Sequence, residues 1–298
     1  MAEPQLDRIA ELIAPLRIEP GERVRLRRDH DPGYTAGLDR HRDGEDLLQR
    51  GVALLADHQA RLAAESTRGV LVVLQALDAA GKDGTIRHVM SGVNPQGVRV
   101  HSFKVPSAEE RAHDFLWRYS GRLPARGEIA IFNRSHYEEV LVVRVHPELL
   151  DQEHQPPAPR GKELWQRRFR AINEWERQLT EDGFHIVKLF LNVSKDEQRK
   201  RLLARIDEPA KNWKFSASDL AERKHWADYQ RAYADMLAHT STKHAPWYVI
   251  PADHKWFARI AAAAVIADTL IGIDPQYPTL DRKGRRELRQ FRGALEKG

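Results

Sequence analysis

The sequence has no cysteine in 298 residues, which excludes disulfides, thiolate metal sites and a cysteine nucleophile. That absence suits a cytoplasmic protein. No run approaches ~20 consecutive apolar residues, and the opening residues lack a signal-like apolar segment. With a mean hydropathy of -0.61, the sequence predicts no contact with a membrane. There is no G-x-S-x-G elbow for a serine hydrolase. His101, His136 and His225 are unremarkable individually, and no H-x-x-x-H pair on a credible helix suggests zinc. Internal repeats are absent. Gln155-Pro156-Pro157-Ala158-Pro159 is a local loop, too short to separate domains.

What is present is enough apolar material, 41% of residues, for one large α/β domain or two smaller ones. A net charge of +5 and a pI near 9.4 suggest acidic partners, without choosing between nucleic acid, nucleotide and another polyanion. Residues 1–45 mix Arg, Asp, Gly and Pro and read as an extended arm with a short helix near Leu6–Ile13. Arg23, Arg25, Arg27 and Arg28 form a basic cluster there, either a solvated face or a functional one. A main domain over 46–275 follows, and residues 276–298 form a basic tail, helical or frayed.

Five short apolar or alternating segments read as strands: 70–77, Val98–Phe103, Glu128–Phe132, Phe184–Leu191 and Trp247–Ile250. Helical periodicity lies between them, at Glu45–Glu65, Gly81–Ser91 and Lys162–Thr180. Ser107-Ala108-Glu109-Glu110 resembles a capping box opening a helix to Trp117, and Ser194-Lys195-Asp196-Glu197 opens another. Strands alternating with helices predict a mainly parallel, doubly wound sheet covered on both faces, a three-layer α/β/α architecture.

The most informative segment runs from Val70 to Thr85. A buried strand enters a turn of small residues, Ala79-Ala80-Gly81, then Lys82 and a helix. Small residues let backbone amides approach a phosphate, and the helix N-terminus adds unpaired donors and a favourable dipole. The Walker pattern is imperfect: Ala76 replaces the first Gly, and Asp83 stands where a Mg²⁺-binding Ser or Thr is expected. Asp78 is an unusual addition, since a carboxylate in an anion-binding loop repels phosphate unless a metal lies between them. The alternative is an ordinary strand–turn–helix corner.

In open parallel sheets ligands bind beyond the carboxyl ends of the strands. Phe103-Lys104 and Asn133-Arg134-Ser135 should join the first loop there. Asn133 takes the place of a Walker-B carboxylate. Arg134 suits a bidentate phosphate contact, and Glu138 and Glu139 follow within a turn to supply a carboxylate. A second cationic group, with Lys211 and Lys214, lies in a segment of about 207–238 that reads as a mobile helical lid. Arg201 and Arg205 are placed to meet the transferring group from the lid side. Trp226, Tyr229 and Tyr233, at helical spacing, are read as packing.

These segments resemble the polyphosphate kinase 2 family, P-loop enzymes that move phosphoryl groups between inorganic polyphosphate and nucleotides. The resemblance rests on L-D-A-A-G-K-D-G-T (77–85), S-F-K-V-P-S (102–107), H-D-F-L-W-R (113–118) and F-N-R-S-H-Y-E (132–138). It continues through K-N-W-K-F-S (211–216), W-x-x-Y (226–229) and A-P-W-Y-V-I (245–250), in family order. The version with Asn133 looks like the branch that accepts both nucleoside mono- and diphosphates, where other branches tend to carry Asp.

The resemblance implies a P-loop kinase-like fold and a homo-oligomer, a dimer or tetramer, with Mg²⁺ as cofactor. It implies catalytic roles for Asp78, Lys82 and Arg134, with Asp78 and Glu138 as metal ligands. Ala80, Gly81, Asp83, Gly84 and Thr85 would cradle phosphate. Lys104 and Arg118 would bind polyphosphate, Lys211 and Lys214 would close from the lid, and Asn133 and Glu138 would contact nucleotide. Its expected partners are inorganic polyphosphate and nucleotides such as AMP, ADP and ATP, rather than nucleic acid. An ATP-dependent nucleoside monophosphate kinase and a noncatalytic polyanion-binding protein are the competing readings.

Overall fold

The structure, a computed structural model, describes residues 9–152 and 161–297. The expected loop at 155–159 and the first residues of the expected helix at 6–13 lie outside the described residues. All five expected strands form: β1 (Gly69–Ala76), β2 (Val98–Ser102), β3 (Ile129–Asn133), β4 (Phe184–Asn192) and β5 (Trp247–Pro251). They pair in parallel in the order β2-β3-β1-β4-β5. The chain leaves β1 toward one side through β2 and β3, and toward the other through β4 and β5. The central strand therefore ends in the crevice where a doubly wound sheet binds its ligand.

β1 is buried throughout because helices cover both of its faces. Val70, Val72 and Leu74 enter the core beneath α1 (Arg40–Glu65), α2 (Lys82–Val89) and a long helix near the end of the domain. Leu71 and Val73 point into the other core, beneath α3 (Lys162–Glu181) and a later tyrosine-bearing helix. Alternate residues of one strand thus serve two cores, which makes the three layers. Apart from α-helices of four or five residues, the remaining ones are α4 (Lys195–Asp207), α5 (Ala217–Glu222), α6 (Trp226–Thr240), α7 (Lys255–Ile273) and α8 (Arg282–Leu295). α7 is apolar and long enough to cross a bilayer, yet Phe257, Ala261, Val265 and Leu270 are wholly buried in the first core.

Two expectations are corrected. The segment before residue 46 is not a free arm. Ile13 and Leu16 join one core and Ile18, Val24 and Leu26 the other, while the Ile18 amide donates to the Trp247 carbonyl at 2.9 Å. Val24 and Leu26 turn inward between exposed Arg23, Arg25 and Arg27, so the basic cluster is the solvated face of an apolar strip. The helix capped by Ser107 and Glu110 ends at Ala112 instead of reaching Trp117. The Asp114 carboxylate accepts the Leu116 amide at 2.9 Å, and a separate turn, Trp117–Ser120, begins there.

Candidate active site

The loop after β1 turns sharply at two residues. Ala79 (φ 63°) and Gly81 (φ 112°) both adopt left-handed backbone, rare for alanine and easy for glycine. α2 then starts at Lys82, and the amides of its first turn have no acceptor within the helix. The Thr85 amide is the exception: it donates to the Gly81 carbonyl at 3.0 Å, and Thr85 is buried. The Ala80 amide is likewise taken, donating to the Leu77 carbonyl at 3.2 Å, so the phosphate cradle implied for residues 80–85 narrows to Gly81–Gly84.

Lys82 folds back so that its Nζ donates to the Ala76 carbonyl at 2.9 Å. Burial lowers its pKa; Asp78 and Glu138 oppose that, and Arg134 adds to it. Arg134 follows β3, also in left-handed backbone (φ 64°), with its amide donating to the β1 carbonyl of Leu74 at 3.2 Å. From that position its guanidinium bridges two carboxylates, Asp78 at 2.8 Å and Glu138 at 3.7 Å. Burial lowers the Arg134 pKa, but Glu138 and Asp78 more than offset it and leave it raised. Burial pushes the Glu138 carboxyl up despite Arg134 and Lys82. Side-chain exposures of 31% for Asp78 and 41% for Arg134 keep the bridge open to solvent.

The turn bearing Arg134 and Glu138 rests on a buried polar network that sequence patterning does not identify. Lys188, in the middle of β4, donates to the Tyr137 hydroxyl at 2.9 Å, the Glu176 carboxylate at 2.7 Å and the Thr240 carbonyl at 2.6 Å. Tyr137 in turn donates to Glu176 at 2.7 Å, and His136 lies 3.2 Å from the same oxygen. A lysine inside the apolar run of Phe184–Leu191 is the available signal.

Several expected ligand residues are occupied elsewhere. Arg201 does not face the transferring group. Its guanidinium donates to the carbonyls of Ala79, Ala80, Ala252 and Asp253, so it clamps the loop after β1 from behind. Arg205 pairs with Asp219 of α5. Arg118 is only 7% exposed; it donates to the Lys104 carbonyl at 2.8 Å and lies over the Phe103 ring. Lys104 itself is exposed. Lys211 pairs with Glu208, and Lys214 lies over the Trp213 ring at 5.0 Å, both within the segment expected to form the lid. The Asn133 amide donates to Asp83 at 2.8 Å, which ties the end of β3 to the first turn of α2.

Arg134 and Glu138, with Lys104, enter the wall of a cavity of about 160 Å³ lined by Phe103, Phe115, Tyr119 and Val142. Separately, a row of cations whose charges act on one another gathers about the start of α7. Burial lowers Lys255, with Arg201 and Lys211 adding to the effect, and burial lowers Arg259, with Arg87 and Arg40 adding. An Arg259 Nη2 lies 3.9 Å from where a side chain on Gly84 would begin, so this row reaches the first turn of α2.

Among the described residues, no three carboxylate or imidazole side chains form a ready-made metal cage. Asp78 and Glu138 instead offer two oxygen donors beside an anion cradle. That donor set fits Mg²⁺, which is commonly bound by one or two carboxylates together with substrate phosphates.

A parallel sheet whose central strand runs into a small-residue turn with a lysine, beside an arginine held between two carboxylates, has the architecture of a kinase-like phosphotransferase. Residues 38–277 match the family model described as polyphosphate kinase 2. The chain is 50% identical over 285 residues to the ADP-polyphosphate phosphotransferase of Rhodopseudomonas palustris, covering 94% of this chain and 97% of the relative. It is 47% identical over 266 residues to the AMP/ADP-polyphosphate phosphotransferase of Meiothermus ruber, covering 88% and 94%. The crystal structure of polyphosphate kinase 2 from Arthrobacter aurescens TC1 superposes with a TM-score of 0.83 at 43% identity, covering 92% of this chain and 94% of that one. The chain belongs to the polyphosphate kinase 2 family.

Proposed function

We propose that the protein transfers phosphoryl groups from inorganic polyphosphate to nucleoside mono- and diphosphates, AMP to ADP and ADP to ATP, with Mg²⁺ and reversibly. The observation that carries this reading is the position of Arg134. It bridges Asp78 and Glu138 and enters the wall of a pocket with aromatic sides, while a cationic row suited to a polyanion reaches the first turn of the helix that begins at Lys82. The row formed by Lys211, Lys255, Arg259, Arg87 and Arg40 is assigned to polyphosphate. The cavity beside Phe103, Phe115 and Tyr119 is assigned to the acceptor nucleotide, with apolar and aromatic walls for a base and cations for its phosphates.

In this arrangement an oxygen of the acceptor phosphate attacks the terminal phosphorus of polyphosphate. One P–O bond forms as the bridging P–O bond breaks, and the shortened polyphosphate leaves with the bond electrons. The attacking oxygen is already ionised near neutral pH, so the step requires no general base. The protein aligns the two phosphates and stabilises charge on the transferred group. Lys82 and the free amides of the first turn of α2 face the donor, and Arg134 spans donor and acceptor. When bound, Mg²⁺ supplies further charge neutralisation, and Asp78 and Glu138 are the residues that would hold it.

Asn133 supports use of both acceptor classes. It places an uncharged amide against Asp83, where aspartate would put two carboxylates at hydrogen-bond distance and demand a cation or proton between them. The test is turnover of AMP and ADP separately with polyphosphate, then with ATP as sole donor to AMP. Formation of both ADP and ATP from polyphosphate is expected. Transfer to AMP from ATP alone would establish the monophosphate-kinase reading, and binding without turnover the noncatalytic one.

A further inference from the structure

The last helix, α8 (Arg282–Leu295), takes no part in the site. It has no buried residue, and the segment leading to it is tied near the opposite end of the sheet. There Arg68 donates to the Ile273 carbonyl at 2.5 Å and the Gln276 amide donates to Glu65 at 3.0 Å. α7 carries the chain there from the active-site end, where its first two turns supply Lys255 and Arg259 to the cationic row.

Four arginines on α8, Arg282, Arg285, Arg286 and Arg289, have no ion pair among the described residues, whereas Arg292 pairs with Glu296 and Lys283 lies 4.0 Å from Glu287. Their spacing is i, i+3, i+4 and i+7, which confines all four to an arc of about 100° on one helix face. Like charges at these spacings repel along a helix, so the face gains from an anion that contacts several of them together. Leu288, Phe291 and Leu295 form a separate exposed stripe, centred about 140° from the arginines. An occupant of that stripe would leave the centre of the arginine face open.

We propose that this arginine face is a second polyphosphate-binding site, which holds a distant part of a long donor chain while its end occupies the catalytic crevice. The inference rests on polyphosphate being the donor. The ligand class follows from the row of unpaired guanidiniums, each able to fork onto phosphate oxygens. The remote position adds a length requirement: a short oligophosphate in the crevice cannot reach α8, whereas a long chain engages both sites. Tethering at two sites raises the effective concentration of chain ends without any new contact at the reacting phosphate.

The test compares the wild-type protein with a variant carrying Arg282→Gln, Arg285→Gln, Arg286→Gln and Arg289→Gln. Steady-state kinetics are measured with long-chain polyphosphate and, separately, with tetraphosphate. Circular dichroism and the thermal midpoint report that the fold is retained. The expected result is a KM for long-chain polyphosphate raised about tenfold, with kcat and the tetraphosphate KM unchanged. Equal shifts for both donors, or no shift for either, would overturn the proposal. So would Leu288→Gln with Phe291→Gln reproducing the effect while the arginines are intact, which would mark α8 as an apolar interface with a partner or membrane. Wild-type turnover of tetraphosphate keeps the two readings apart. Without it the donor assignment fails; with it but without chain-length discrimination, only the second site fails.

Discussion

Arg134 and Asp78 meet at 2.8 Å from the ends of adjacent strands, each beside left-handed backbone, Arg134 at its own φ of 64° and Asp78 before Ala79 at 63°. Two strained turns therefore position one ion pair. Strain of this kind costs about 1–3 kcal/mol per residue and persists only where the surrounding structure enforces it. Here the enforcing contacts are the Leu74 carbonyl beneath Arg134 and the Arg201 clamp behind Ala79.

Arg134→Lys should lower kcat about 10²–10³-fold, because a single ammonium cannot span Asp78, Glu138 and a phosphate at once. Lys82→Ala should have a loss of similar order. Steady-state kinetics with AMP and polyphosphate measure both, and near-wild-type kcat in either variant would remove that residue from the mechanism.

The pH profile of kcat/KM should be narrowed from both sides. Burial raises the Glu138 carboxyl, so activity climbs as that proton leaves, above the usual carboxylate range. Burial lowers the Lys82 ammonium, so activity falls as it deprotonates, below the usual lysine range. Glu138→Gln should abolish the acid limb and Lys82→Arg the alkaline limb. A limb that persists unchanged in its variant belongs to another group.

Arg201→Ala should destabilise the fold by about 3 kcal/mol, since four carbonyls lose a charged donor. Arg201→Lys should recover little, because an ammonium lacks the planar fork. Urea midpoints give the measurement, and an unchanged midpoint for the alanine variant would contradict the clamp.

Lys188→Met alone should cost about 3–5 kcal/mol, because Glu176 is left as a buried charge without its partner. Adding Glu176→Gln should restore part of that loss. A double-mutant cycle on thermal stability tests the coupling, and simple additivity would refute it.

Much of the fold is legible in the sequence. Strand patterning locates all five strands, and the small-residue turn locates the loop that carries Asp78 and Lys82. The resemblance also groups Arg134 and Glu138 with them, although two strands and several helical turns separate the two segments along the chain. The misreadings share a physical cause: an arginine in the sequence does not reveal its acceptor. Arg201 reads as a phosphate ligand and binds four carbonyls; Arg118, expected to bind polyphosphate, is packed on Phe103 and still lines the cavity. Val24 and Leu26 stay hidden because single apolar residues between arginines carry little periodic signal. Lys188 escapes notice because a charge within a strand becomes interpretable only when its partners on other elements are known.

The two margins of the sheet are protected by different means. β2 is short, and its exposed positions include Arg99 and Ser102, which discourage docking of another strand. β5 is wholly apolar and relies on Arg17 and Ile18, which lie alongside Tyr248 and Trp247 and occupy hydrogen-bonding positions there. The segment that reads as an extended arm is thus a guard strip. A shortened protein beginning after it would offer a bare apolar edge to its neighbours, and its first failure would be self-association into aggregates.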